Sequence, residues 1–387
     1  MSSPAKKIKI LHVVDLSKTG GVEVMFMQFL SKIIASRSDF EHAVFALRIT
    51  EERKEALLDL GIKVYAPKDN SYNLIRRLTI IKFIANEHYD IVHGQNYSGN
   101  LWATIGSYFQ IRPVKLLSHE HGGSWGAEGI HRVLSNFWAR NSNLVICNSK
   151  AAKKIIKTKI YNKAKLKLIY NGVSKTNFVN NNLRHKDSFS ILYVGRLEKV
   201  KGVKDLVSSL KILHDLDIDF CCNILGDGQM REWIVSQIVK HNLTKKVIIH
   251  GVVNNVDQFM ANSDILVLPS IREPLGNVII EAAHHNLPTI ASNIDGIKEI
   301  VVHNSTGILL SPKLACATRG LPKHVIGEFG ELTLPMAIDP NELAEELIKL
   351  KNNPDLRKKY GLSANKLLKD FTIDCYTEQI SQTYMEL

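Results

Sequence analysis

The 387-residue sequence has no run of roughly 18 or more apolar residues, which excludes a bilayer-spanning helix. Residues 1–9 lack the apolar core of about 7–15 residues that a secretory leader needs, and residues 10–14 suffice only for a strand. A cytoplasmic location is therefore expected. Cysteine is sparse. Cys147, Cys221, Cys222, Cys316 and Cys375 form an odd set without a C-x-x-C pair, so they read as reduced thiols rather than a disulfide or zinc framework. No G-x-G-x-x-G is present at the opening strand, which counts against a dinucleotide-dependent dehydrogenase. The stretch Ser118-His119-Glu120-His121-Gly122 is not H-E-x-x-H, so no metal site is expected there. Helix-turn-helix, zinc and aromatic RNA-binding signatures are also missing. Their absence argues against a basic nucleic-acid-binding protein, the reading that a net charge of +12 would otherwise invite.

What is there divides unevenly. Up to Lys186 the net charge is +16, and from Asp187 onward it is −4. The basic half would attract an anionic partner: nucleic acid, an anionic membrane or a phosphorylated substrate.

Short apolar runs alternate with helical periodicity twice along the chain. Residues 7–14, 42–48, 63–66, 91–93, 115–119, 144–147 and 167–170 read as strands, with helices over 22–34, 51–60, 73–86, 101–109 and from Ser149, a good N-cap. Asn171-Gly172 reads as a turn before a polar, asparagine-rich linker. The alternation restarts at residue 189 and continues to residue 301, and the tail is helical. The pattern predicts an α/β chain with two Rossmann-like, doubly wound parallel-sheet domains facing across a cleft. The first spans residues 1–173 and a linker 174–186. The second spans 187–360 with an inserted loop at about 311–339, and C-terminal helices over 361–387 could pack back toward the first domain.

Three loops at strand ends carry anion-binding chemistry. Gly195-Arg196-Leu197 with Lys201-Gly202 follows the first strand of the second half. Arg196 offers a planar fork of donors and Lys201 a point charge, a pair suited to a diphosphate leaving group. In Glu273-Pro274-Leu275-Gly276, Gly276-Asn277 opens a helix whose first N–H groups suit phosphate. Glu281 lies inside that helix, on the order of 10 Å from Glu273. The two carboxylates could touch a sugar and a ribose with a diphosphate between them, but are far apart for a glycosidase pair. The third loop, Thr19-Gly20-Gly21-Val22-Glu23, again precedes a helix.

With Asn148-Ser149, Tyr170-Asn171-Gly172-Val173, Gly226-Asp227-Gly228 and Glu281-Ala282, these motifs occur in an order that resembles family-4 glycosyltransferases of the GT-B fold, from Ile8 to about Leu310. The resemblance implies retaining transfer of a hexose or N-acetylhexosamine from a nucleotide-diphosphate sugar, UDP by default, without metal or other cofactor. It assigns the diphosphate to Arg196 and Lys201, the donor sugar to Glu273 and the ribose to Glu281. Gly20, Gly21, Asp227, Leu275, Gly276 and Asn277 join them as donor-binding positions, and His119 is placed near the transferred sugar. No carboxylate is clearly placed as a nucleophile, and the resemblance leaves two mechanisms open, a nucleophilic one and a front-face attack in which Arg196, Lys201 and the helix N-terminus would stabilise the departing diphosphate. Two positions depart from the family pattern: Asp295-Gly296 stands where two glycines are common, and the 311–339 loop is long.

In GT-B enzymes the N-terminal domain receives the acceptor. Lys153, Lys154 and Lys157 lie beside Ile155, Ile156 and Ile160, and Arg76 and Arg77 lie beside Leu74 and Leu78. Basic helices with apolar stripes can lie on anionic lipid. The expected acceptor is then a saccharide, lipid-linked on polyprenyl diphosphate, at the inner face of the cell membrane, as in O-antigen, lipopolysaccharide or other surface polysaccharide assembly. A nucleotide-sugar epimerase or a phosphorylase would use the same fold.

Overall fold

The computed structural model describes residues 7–17, 20–66, 78–110, 112–125, 128–174, 188–316 and 319–387. The chain forms two compact units: Met1–Ser174 with Asp370–Leu387, and Lys175–Lys369. No helix among the described residues is long and apolar enough to cross a membrane.

The first unit contains β1 (Ile8–Leu16), β2 (Phe40–Ile49), β3 (Lys63–Tyr65), β4 (Ile91–Gln95), β5 (Lys115–Glu120), β6 (Leu144–Cys147) and β7 (Leu166–Leu168). They form one parallel sheet in the order β3-β2-β1-β4-β5-β6-β7. Its helices are α1 (Gly21–Ser36), α2 (Glu51–Asp59), α3 (Thr79–Glu87), α4 (Asn96–Tyr108), α5 (Gly129–Asn141) and α6 (Lys150–Ile155), the last running into a π-turn, Ile156–Ile160. Helices on both faces bury the sheet, which is why β4 is apolar or fully buried at every position rather than alternating. Helix α1 buries Met25, Phe26, Phe29, Leu30 and Ile33, a helical stripe set on the sheet.

The second unit repeats the plan with β8 (Phe189–Val194), β9 (Phe220–Leu225), β10 (Val247–Gly251), β11 (Ile265–Leu268), β12 (Thr289–Ser292) and β13 (Gly307–Leu310). Their order is β10-β9-β8-β11-β12-β13, all parallel. Around them lie α7 (Val203–Asp215), α8 (Arg231–Lys240), α9 (Val256–Asn262), α10 (Asn277–His284), α11 (Pro340–Lys351) and α12 (Pro354–Lys366). The final helix α13 (Ile373–Glu386) returns to the first unit, where Tyr376, Ile380 and Tyr384 are buried in its core.

Three sequence readings change. Residues 129–141, left unassigned, form α5. Its apolar positions are divided between the buried Trp138 and the exposed Ile130 and Val133, which blurs the stripe. The 311–339 stretch is not structureless. β14 (Leu314–Ala315) pairs with β17 (Met336–Ala337), and β15 (Val325–Ile326) pairs with β16 (Leu332–Thr333), as nested antiparallel ladders too short for any periodicity to show. Gly172 marks a close approach rather than a turn. A Cβ there would lie 2.6 Å from the Thr372 carbonyl oxygen, and Val173 bridges Thr372.

Candidate active site

In the second unit the strand order reverses between β8 and β11, so the loops leaving their carboxyl ends diverge and open a crevice there. Local bonds stitch the loops around it. The Leu197 N–H donates to the Asp227 carbonyl at 2.9 Å, and the Met230 N–H to the Leu197 carbonyl at 2.8 Å. The glycines of Gly226-Asp227-Gly228 both have positive φ, and a Cβ on Gly226 would sit 2.0 Å from the Gly195 carbonyl oxygen. Lys199–Lys201 forms a single 3-10 turn closed by Gly202 at φ 64, where a Cβ would meet the Pro269 oxygen at 1.8 Å. The Ile271 N–H donates to the Val200 carbonyl at 2.9 Å, fixing this turn to the loop after β11.

These bonds bring Lys201 Nζ to 2.6 Å from Glu273 Oε2, with side-chain exposures of 16% and 11%. Ser270 Oγ donates to the same oxygen at 3.3 Å. Arg196 stands at the rim with 61% of its side chain exposed, its Nη1 2.6 Å from Glu198 Oε1. Asp227 is exposed, accepts from the Gly228 N–H at 2.7 Å and lies 3.7 Å from Arg231. Leu275 is buried, so it can offer a ligand only its main chain. Gly276, at φ 100, caps α10, and Asn277 is the first residue of that helix. Glu281 is partly buried one turn farther in. No donor among the described residues engages its carboxylate, and burial, followed by the charge of Asp257, pushes its pKa up to about 7.

The main chain of Glu273 is held on both sides. Its N–H donates to Asp295 Oδ2 at 3.0 Å, and its carbonyl accepts from the Gly296 N–H at 3.1 Å. Asp295 and Ser270 were not among the expected site residues. The departure at Asp295-Gly296 was the available signal, but a single aspartate after a strand names no partner.

In the first unit the reversal falls between β1 and β4. Gly20 is the extended N-cap of α1 and Gly21 its first residue, with Glu23 filling the space beside Gly20. His119 is fully buried at the end of β5. Asn100 holds its main chain from both sides at 3.1 Å, its ring stacks on His121 at 3.9 Å, and Nδ1 lies 3.4 Å from Tyr376 Oη. It joins a buried histidine cluster with His12, His42, His93 and His121, which sequence reasoning missed. Burial above all lowers these pKa values, His42 and His121 to about 4 and His93 to about 3, so the rings are neutral near pH 7. Glu120 is structural: its carboxylate accepts from the Gly122 and Ser124 N–H groups and the Ser124 hydroxyl.

The Ser149 hydroxyl accepts from the Ala152 N–H at 3.0 Å and starts α6. Ile155, Ile156 and Ile160 are buried, so this apolar stripe faces the unit's own core and cannot enter lipid. Lys154 and Lys157 are exposed and Lys153 is partly so. Arg76 and Arg77 lie outside the described residues.

A model of glycosyltransferase family 4 matches residues 19–176, and one of the glycosyl transferases group 1 matches residues 174–319. The chain is 29% identical over 257 residues to an uncharacterized glycosyltransferase of Methanocaldococcus jannaschii, a match covering 66% of this chain and 63% of that relative's length, so less than two thirds of it is spanned. It is 23% identical to the capsular polysaccharide biosynthesis glycosyltransferase CapM of Staphylococcus aureus, over 98% of this chain and 97% of that one. The structure of HepE of Anabaena, solved in complex with UDP and glucose, matches with a TM-score of 0.77 at 22% identity, covering 98% of this chain and 100% of that one. The two parallel-sheet units have the GT-B fold.

Proposed function

Because the chain belongs to the glycosyltransferases marked by the family 4 and group 1 domains, we propose that it moves a hexose or N-acetylhexosamine from a UDP-sugar, with retention, to a lipid-linked saccharide. The observation that carries this reading is the Lys201–Glu273 pair at 2.6 Å, beside Arg196 and the N-terminus of α10 at the strand reversal. A cation, a carboxylate and a helix N-terminus there can accept a diphosphate and a sugar together. The UDP and glucose bound to HepE and the capsular role in CapM's name support the donor and pathway classes.

Glu273 already shares Oε2 with Lys201 and Ser270, which suits it to holding a sugar hydroxyl rather than forming a glycosyl ester. In the proposed reaction the acceptor hydroxyl attacks the anomeric carbon on the face from which the diphosphate departs. The new C–O bond forms as the bond to the β-phosphate oxygen breaks, and the hydroxyl proton passes to that oxygen. Arg196, Lys201 and the α10 amides stabilise the charge on the leaving group, a task that needs no metal. Arg196→Ala and Lys201→Ala are each expected to lose most transfer activity, on the order of 10²-fold or more. EDTA is expected to leave the wild-type rate unchanged, and strong EDTA inhibition rescued by manganese would overturn the metal-free reading.

The acceptor side rests on charge. No Asp or Glu stands between Glu128 and Asp187, and Lys154 and Lys157 face solvent. An anionic lipid surface carrying a polyprenyl-diphosphate saccharide complements that stretch. Flotation with phosphatidylglycerol vesicles should show binding that weakens as salt rises; no binding would leave a soluble acceptor. A thermal-shift panel of nucleotide sugars tests the donor. Saturation at about 100 times Kd adds roughly 2.7 kcal/mol, and no shift with any of them would remove the assignment.

A further inference from the structure

The departures at Asp295 and at the 311–339 insertion are one feature. Asp295 is fully buried at the turn after β12. Its φ is 47, a left-handed conformation that costs a non-glycine residue roughly 1–2 kcal/mol. Side-chain bonds account for an aspartate there. Oδ1 accepts from the Ile326 N–H at 2.6 Å and Oδ2 from the Glu273 N–H at 3.0 Å. The Asp295 N–H returns a bond to the Ile326 carbonyl at 2.8 Å, so residue and hairpin are paired reciprocally. A buried side chain accepting from two main-chain N–H groups is a directional link: burial pushes its pKa up to about 7 while the two bonds hold it down.

The hairpin is clamped as well. Lys298 Nζ donates to the Gly327 carbonyl, and to that of Glu328 at 3.1 Å, while the Ser311 hydroxyl donates to Glu328 Oε2 at 2.7 Å. Val325 and Ile326 are buried, and Phe329 at the tip is 91% exposed. The insertion is therefore tied firmly at its base while its tip faces solvent.

We propose that Asp295 is a positioning residue: one carboxylate oxygen grips the inserted hairpin and the other the Glu273 main chain, so that the insertion sets where the Glu273 carboxylate meets the donor sugar. The last clause rests on the function proposed above; the mechanical coupling does not. Asp295→Gly would relieve the backbone conformation and cut both bonds, whereas Ile326→Pro deletes the hairpin's N–H, together with a buried side chain in the hairpin, and leaves the Asp295 and Glu273 residues themselves unchanged.

Hydrogen exchange by mass spectrometry on the full chain reads the coupling directly. In Asp295→Gly and in Ile326→Pro, the peptide over residues 270–276 should exchange at least tenfold faster, while the α7 peptide over 203–215 stays as in wild type and certifies the fold. Calorimetry with UDP and UDP-glucose reads the consequence. UDP affinity should stay within twofold while the ratio of UDP-glucose to UDP affinity falls at least fivefold. Unchanged exchange over 270–276 in Ile326→Pro would overturn the coupling, and equal losses for UDP and UDP-glucose would overturn the link to the sugar. Should wild type bind neither probe, the functional reading and the sugar clause fall, while the exchange result still decides the coupling.

Discussion

Lys201 and Glu273 are separated by 72 positions in the chain, and neither is unusual until they meet at 2.6 Å. With both side chains largely withdrawn from water, removing one partner leaves the other an underpaired charge. Lys201→Ala should therefore disturb the Glu273 carboxylate as well as diphosphate binding, whereas Arg196, on the rim, should act on the diphosphate alone. Glu281 offers a separate test through pH. Burial raises its pKa to about 7, so the carboxyl is neutral in acid and ionises as pH rises through neutrality. In the unliganded protein the same shift contributes stability below the ordinary glutamate pKa that is lost as pH rises through 7. Only the ionised form accepts from both ribose hydroxyls. UDP-glucose affinity should then rise from pH 6 to pH 8, by about tenfold for a pKa near 7. Because a diphosphate diester loses no proton in this window, Glu281→Gln should flatten the profile in calorimetry.

At the scale of elements, glycine contacts between loops separate packing from mere flexibility. Gly226 needs both its φ of 127 and its missing Cβ, which would lie 2.0 Å from the Gly195 oxygen. Gly330 also has a positive φ, 85, yet nothing stands within 4 Å of a Cβ there. Gly330→Ala should cost only the backbone strain, about 1 kcal/mol, whereas Gly226→Ala adds a main-chain clash and should cost 3 kcal/mol or more. In thermal unfolding that difference is several degrees, and only Gly226→Ala should weaken nucleotide binding. The helices and strands themselves were legible wherever an apolar stripe or run was uninterrupted, as in α1 with Met25, Phe29 and Ile33. Helix α5 was not, because it starts at Gly129 with no side-chain cap and exposes Ile130 and Val133.

Taken whole, the chain leaves its first unit at Ser174 and returns to it at Asp370. The returning helix buries Tyr376, Ile380 and Tyr384 against the first unit's core, with Phe29 edge-on to Tyr376 at 5.4 Å. Three such side chains contribute about 5–9 kcal/mol of burial, comparable to the stability of an entire domain. A chain ending at Lys369 should lose the first unit's calorimetric transition while keeping that of the second. Two transitions surviving in the truncated chain would show that α13 is dispensable.

Sequence alone determined the alternation of strands and helices, the doubling of the sheet, and the placing of Arg196, Lys201 and Glu273 on loops after strands with Glu281 inside the helix that follows. Periodicity and turn chemistry are local and act over a few residues. It could not decide that Asp295 binds Ile326 and Glu273, 31 and 22 positions away, or that His119 lies buried beneath Tyr376. Nor could it decide that the isoleucines beside Lys154 face inward. Those outcomes depend on which surfaces remain once the sheets have formed. Packing of residues distant in the chain settles them, and no spacing within a segment records it.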